Sequence, residues 1–287
     1  MDDAYRYPLR EFIRSVIHFL VFSSIYIAVC AIVMVYQTRQ LLQLHFPTNK
    51  YYLFVFFSTL CSYNFHWGLT PAVETQLVRL GWTVRNKKLH ALLCFIGAVG
   101  AGYFFFDFID HWFWLGIGVV LTFLYSAPKV PYFRSLRHVA IGKTIFLAMV
   151  WMYVTTALPI LISGSAWHIT EVLFCASRFF FIYAICILFD YRDRDYDRKE
   201  GIRSIITYLD DKGVHRLFYF SLVLFALTTL LLLQAGFATL VVVLILIPGI
   251  IMIPLYNIAR KNFSDYLYYI LLDGMMMAPA ILTSIYF

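Results

Sequence analysis

The 287-residue sequence predicts an all-α, polytopic membrane protein organised as a single domain over 1–287. Three observations carry that expectation. Apolar residues make up 62% of the chain and charged residues 14%, against about half and about a quarter in a soluble domain. The mean hydropathy is +0.76, so a water-soluble fold of this length would leave too much hydrocarbon facing water. The apolar residues also gather into nine runs, most of them close to the length a helix needs to cross a hydrocarbon core of about 30 Å.

In chain order the runs cover about 15–37, 51–67, 88–106, 111–127, 142–163, 168–189, 215–235, 237–257 and 265–286. The second is short and the sixth contains Arg178. The first is longer than a signal-peptide core and is followed by no small-residue cleavage site, so it reads as a retained helix. Placing the N-terminus on the cytoplasmic side puts twenty of the 23 basic residues in cytoplasmic segments. The three left over are Arg39, Lys50 and the intrahelical Arg178, and the third-to-fourth connection is acidic, with Asp107 and Asp110. The net charge of +7 is thereby explained by topology and calls for no nucleic-acid partner. The five cysteines, Cys30, Cys61, Cys94, Cys175 and Cys186, lie in apolar stretches without a CxxC pair, which argues against a disulfide framework or a zinc site.

Two cytoplasmic connections are long, about 65–88 and about 190–214. The first holds Thr70-Pro71, a helix-cap signal, followed by Val73, Leu77, Leu80 and Trp82 at roughly helical spacing. That pattern predicts a short helix against the membrane surface. The second connection is acidic at its start. Asp190, Asp193, Asp195, Asp197 and Glu200 place five of the sixteen acidic residues within eleven positions. With the helix of the sixth run continuing into it, Asp193 lies about 60° and Asp197 about 20° from Asp190 around the axis. The three share one face over roughly 10 Å, whereas Asp195 turns away. Carboxylates so placed repel each other unless a cation joins them. Hard oxygen donors without His or Cys suit Mg²⁺, which takes one or two carboxylates and completes its shell with phosphate oxygens.

The segment Asp190-x-x-Asp193-x-x-x-Asp197-Arg198-x-x-Gly201-x-Arg203-Ser204 resembles the second aspartate-rich motif of the UbiA superfamily of intramembrane prenyltransferases. Leu124-Tyr125-Ser126-Ala127-Pro128, before a basic loop, is also similar to that family, as is the placing of long cytoplasmic loops after the second and sixth runs. The resemblance implies a nine-helix bundle in which Mg²⁺ activates an isoprenyl diphosphate for transfer to a lipophilic, aromatic acceptor. By the same resemblance Asp190, Asp193 and Asp197 would hold the metal, and Arg198, Lys199 and Arg203 would contact the diphosphate. Arg85, Lys88 and Tyr125 join the substrate-binding set.

The first motif of that family, NDxxDxxxD, has a different counterpart here. Asn64 stands at its leading asparagine, while Gly68 and Ala72 occupy the two aspartate positions. Asn64 and His66 are candidate polar replacements, with Glu74 or Gln76 as further donors. Asp273, isolated in the ninth run, is a further candidate, either as a proton acceptor facing substrate or as a partner for Arg178. Two other functions stand beside the transferase: a catalytically inactive homologue that binds an isoprenoid lipid, and, ranked last, a transporter with Asp273 and Arg178 as coupling groups, against which the break of the eighth run at Pro248-Gly249 and Pro254 has no counterpart in the other half.

Overall fold

The computed structural model describes residues 3–70, 78–126, 142–199, 201–202 and 204–287, with side chains from residue 11 onward. Within those residues every regular element is helical.

The first apolar run is not one straight helix. α1 (Asp3–Phe22) and α2 (Ile25–Leu41) meet at 60°, with Ser24 in the left-handed region at φ 69°. α1 is amphipathic and leaves Phe12, Ile13 and Phe19 exposed, as a helix at a lipid interface does. α2 buries Ile27, Ala28, Cys30, Ala31, Met34 and Val35 and runs through the middle of the bundle. The bend is tied down by Asn64 of α3 (Thr48–Gly68), whose amide donates to the Ser23 carbonyl at 3.0 Å.

α5 (Lys87–Phe105) and α6 (Trp112–Ser126) are joined by the 3₁₀ turn Phe106–His111. A straight helix over those 40 residues would be about 60 Å long. It folds back instead. His90 at the start of α5 bonds Asn64, and Ser126 at the end of α6 bonds His66, so both ends lie beside the last turns of α3. At the far end, Lys50 of α3 pairs with Asp107 in the turn. The α3–α5 contact is close because of two glycines. A Cβ at Gly97 would sit 2.6 Å from the Cys61 amide nitrogen, and one at Gly100 would sit 2.5 Å from the Phe57 ring. α4 (Val78–Arg85) is the short surface helix expected there; it carries Leu80 and Trp82, while Pro71, Val73 and Leu77 lie outside the described residues.

α7 (Lys143–Met152) continues through the π turn Tyr153–Ala157 into α8 (Leu158–Ser163). α9 (Ile169–Lys199) is the longest element at 31 residues, or about 46 Å. Phe181 to Leu188 are all buried, which places α9 at the centre of the bundle. Being longer than a hydrocarbon core, it carries its acidic last turns out to one end of the molecule. A short turn, α10 (Ile205–Tyr208), closed by a Ser204–Thr207 capping box, leads to α11 (Asp211–Leu231) and α12 (Thr239–Ala259). Pro248 and Pro254 do not break α12, contrary to the sequence expectation. Gly249 lets the Phe225 ring of α11 approach where a Cβ would lie 2.4 Å away, and such tight packing holds a proline-containing helix together. The chain ends in the π turn Leu267–Leu272 and α13 (Asp273–Thr283).

Each of the nine apolar runs thus falls on helix among the described residues. By length and composition five helical stretches among the described residues suffice to cross a membrane, the folded-back α5–α6 pair taken as one of them, or six if the bent α1–α2 pair counts as one. The chain is an integral, multi-pass membrane protein.

Candidate functional site

A cavity of about 920 Å³ opens at the end of the bundle where the acidic turns of α9 emerge. Its depth is apolar, with Met149, Trp151, Val154, Ile185 and Met276 among the lining side chains. Its mouth is charged, with Asp190, Asp193, Asp197, Lys143, Arg79 and Arg192. A long hydrocarbon chain fits the first part and an anion the second.

Helix periodicity brings Asp190 and Asp197, though not Asp193, onto one partner. Asp190 and Asp197 are both buried and both turn towards α7. Their carboxylates converge on one ammonium: Lys143 Nζ lies 3.3 Å from Asp190 and 3.0 Å from Asp197. Thr144 donates its hydroxyl to the other oxygen of Asp190. Asp193 is more open and accepts from Arg192 Nε at 3.1 Å. Among the described residues no three His, Cys, Asp or Glu side chains gather closely enough to hold a metal unaided. Mg²⁺ needs no such cage when phosphate oxygens complete its shell. Two buried carboxylates already aimed at one positive centre are a donor set that fits one such ion.

His66 and Tyr125 line the same cavity, their rings stacked at 5.1 Å, and Asp273 lies on its wall. Asn64 does not reach it. It is enclosed behind the wall, donating to the Ser23 and Leu60 carbonyls and accepting from His90 Nδ1 at 2.6 Å. Arg85 and Lys88 are exposed and away from the lining. Arg198 forks onto the Thr207 carbonyl of α10 at 3.0 and 2.9 Å, which ties the end of α9 to that turn, and Lys199 is exposed beside it. Arg203, Glu74 and Gln76 lie outside the described residues. The expected Asp273–Arg178 pair does not form. Arg178 donates instead to Gln37 Oε1, Thr38 Oγ1 and the Met34 and Thr155 carbonyls.

Sequence reasoning missed Lys143 and Arg192 as site residues because each was absorbed into the positive-inside count. It missed Arg79 for the same reason. Arg79 is 3% exposed, its backbone N–H donates to Asp265 at 2.7 Å, and burial pulls its guanidinium below the ordinary arginine range. A cation at the first position of an apolar run, as Lys143 is, was the available signal: it caps a span where a solvated loop residue would stand clear of it.

Residues 76–265 match the model of the UbiA prenyltransferase family. The chain belongs to that family. Those residues span α4 to α12 and include the whole acidic site, so the UbiA assignment rests on the segment that builds the cavity mouth. A solved structure concerned with digeranylgeranylglyceryl phosphate synthase in membranes is similar at a TM-score of 0.55 and 16% identity, covering 96% of this chain and all of that one. At that identity the likeness speaks for the UbiA fold, which it extends to nearly the full chain. No curated protein matches the sequence.

Proposed function

We propose that this chain transfers a prenyl group from an isoprenyl diphosphate to a lipophilic, aromatic acceptor, within a bundle of nine spans whose N-terminus and charged end face the cytoplasm. The observation that carries the reading is a cavity with an acidic and basic mouth and an apolar depth. Asp190, Asp193 and Asp197 would hold Mg²⁺, which when bound neutralises charge gathering on the departing diphosphate.

The remaining chemistry belongs to the side chains. Lys143 balances Asp190 and Asp197 and donates to phosphate oxygen as the carbon–oxygen bond breaks. The apolar walls take the prenyl chain and keep water from the allylic cation. Trp151 and Tyr63, joined by an indole-to-hydroxyl hydrogen bond at 3.2 Å, present ring faces that tolerate such a cation. Asp273, on the wall within an otherwise apolar span, accepts the proton the acceptor loses as its new bond forms.

A second reading keeps the cavity and drops the chemistry. Lys143 already neutralises the two buried carboxylates, and a protein that only binds an isoprenoid lipid would need no metal there. The experiment that separates them incubates purified protein with geranylgeranyl diphosphate, Mg²⁺ and a panel of aromatic acceptors, and measures inorganic diphosphate release. Release that requires both metal and acceptor supports transfer. Binding of the prenyl lipid without release under every acceptor supports the second reading.

A further inference from the structure

Arg79 is seated against two aromatic rings. Its guanidinium carbon lies 4.1 Å from the Trp67 ring centroid and 4.1 Å from the Tyr269 ring centroid. Those two rings are 6.0 Å apart and 79° to each other, so the guanidinium is seated in the angle between them. Both Nε and Nη2 are buried and find no hydrogen-bond partner among the described residues. A buried N–H donor left unmade is costly, and two on one guanidinium on a cavity wall suit an incoming oxyanion.

Arg192 approaches the same tyrosine. Its guanidinium carbon is 4.8 Å from the Tyr269 centroid, and Nη2 donates to the Tyr269 hydroxyl at 2.6 Å. Asp265 holds the two arginines in register, accepting the Arg79 backbone N–H at 2.7 Å and lying 3.7 Å from Arg192 Nη1. Arg192 Nη1 is itself buried without a hydrogen bond. The pair therefore faces the cavity mouth from the α4 and Tyr269 side, while Asp190, Asp197 and Lys143 are engaged on the α7 side.

We infer that Arg79 and Arg192 form a guanidinium clamp for the terminal phosphate of the bound diphosphate, so that one wall holds the anion through carboxylate-bound cations and the other holds it directly. The inference rests on the diphosphate reading above and adds to it the residues that grip the leaving group. Guanidinium forks pair with phosphate oxygens through two parallel N–H donors. The aromatic seat fixes the Arg79 plane in advance, so little rotamer freedom is lost on binding. No metal is needed on this side, which agrees with Gly68 standing where a second carboxylate would be required.

The test measures binding of geranylgeranyl diphosphate and of geranylgeraniol to purified full-length protein in detergent with saturating Mg²⁺. Arg79→Gln should weaken diphosphate binding about 10- to 100-fold, the range for losing charge-assisted hydrogen bonds, and leave geranylgeraniol binding unchanged. Arg79→Lys, which keeps the charge without the fork, should fall between. Arg79→Gln binding the diphosphate as tightly as the unaltered protein would overturn the clamp while leaving the diphosphate site standing. Equal loss of both ligands would also overturn it, since the side chain would then be holding the cavity rather than the phosphate. Failure of the unaltered protein to bind the diphosphate under any metal condition would remove the underlying reading, and the clamp with it.

Discussion

Arg178 and Lys143 are both cations enclosed by this bundle, and their surroundings differ in kind. Arg178 sits twelve residues before Asp190 on α9, about 18 Å along the axis, and its hydrogen bonds among the described residues go to neutral oxygens. Its acceptors come from α2 and from the π turn, where Thr38 also donates to the Thr155 carbonyl at 2.7 Å. Gln37 extends the network to Thr283 of α13. Nothing in that cluster lines the cavity. Lys143 is met by two carboxylates, and all three groups do line it. A charge satisfied by fixed neutral groups behind a closed wall joins helices. A charge balanced by carboxylates on an open wall can exchange its partners for a ligand.

That contrast can be broken by substitution at either end. The largest effect belongs to Asp193→Ala or Asp190→Asn, which should reduce Mg²⁺-dependent binding of a prenyl diphosphate on the order of 100-fold or more, beyond the 10–100-fold that outer partners of metal ligands cost. The amount of folded protein on size-exclusion chromatography should change little. Lys143→Gln comes next. It leaves Asp190 and Asp197 uncompensated, so Mn²⁺ binding followed by electron paramagnetic resonance should tighten without substrate, while diphosphate release falls about 10- to 100-fold. Weaker metal binding in that variant would show that the ammonium supports the metal site instead of holding its place.

At the other end of α9 the readout should switch from activity to stability. Arg178→Leu strands the Gln37 side-chain oxygen, and should lower stability by about 1–3 kcal/mol in detergent thermal unfolding. Diphosphate affinity of the surviving folded fraction should be unchanged. Arg198→Gln is the smallest: its guanidinium ties the end of α9 to the Thr207 carbonyl of α10 and stays off the lining, so diphosphate affinity should shift less than about threefold. A larger drop would return Arg198 to the phosphate-binding set.

The helices were legible because lipid imposes a simple rule on composition, and the acidic face of α9 was legible because 100° steps are arithmetic. The 40-residue stretch from Lys87 to Ser126 was divided correctly into two runs by its acidic centre at Asp107 and Asp110. The kink at Ser24 was not legible, since it depends on a left-handed residue held by Asn64 from another helix. Asn64 and His66 show the same limit. They are two residues apart on one helix, so they point to different sides: His66 lines the cavity and Asn64 locks α1, α3 and α5 together. A motif position alone could not separate them. The cationic side of the site was hidden most completely. Lys143, Arg79 and Arg192 come from three elements far apart in sequence, and each carried a sufficient explanation as an interfacial charge.

The most direct test of the central claim is equilibrium binding of labelled geranylgeranyl diphosphate to the purified protein, with and without Mg²⁺, beside the Asp193→Ala variant. Saturable binding that requires the metal and disappears in the variant is the predicted result. Binding that is absent with and without metal, or that survives Asp193→Ala undiminished, would contradict the assignment of the α9 carboxylates to a diphosphate site.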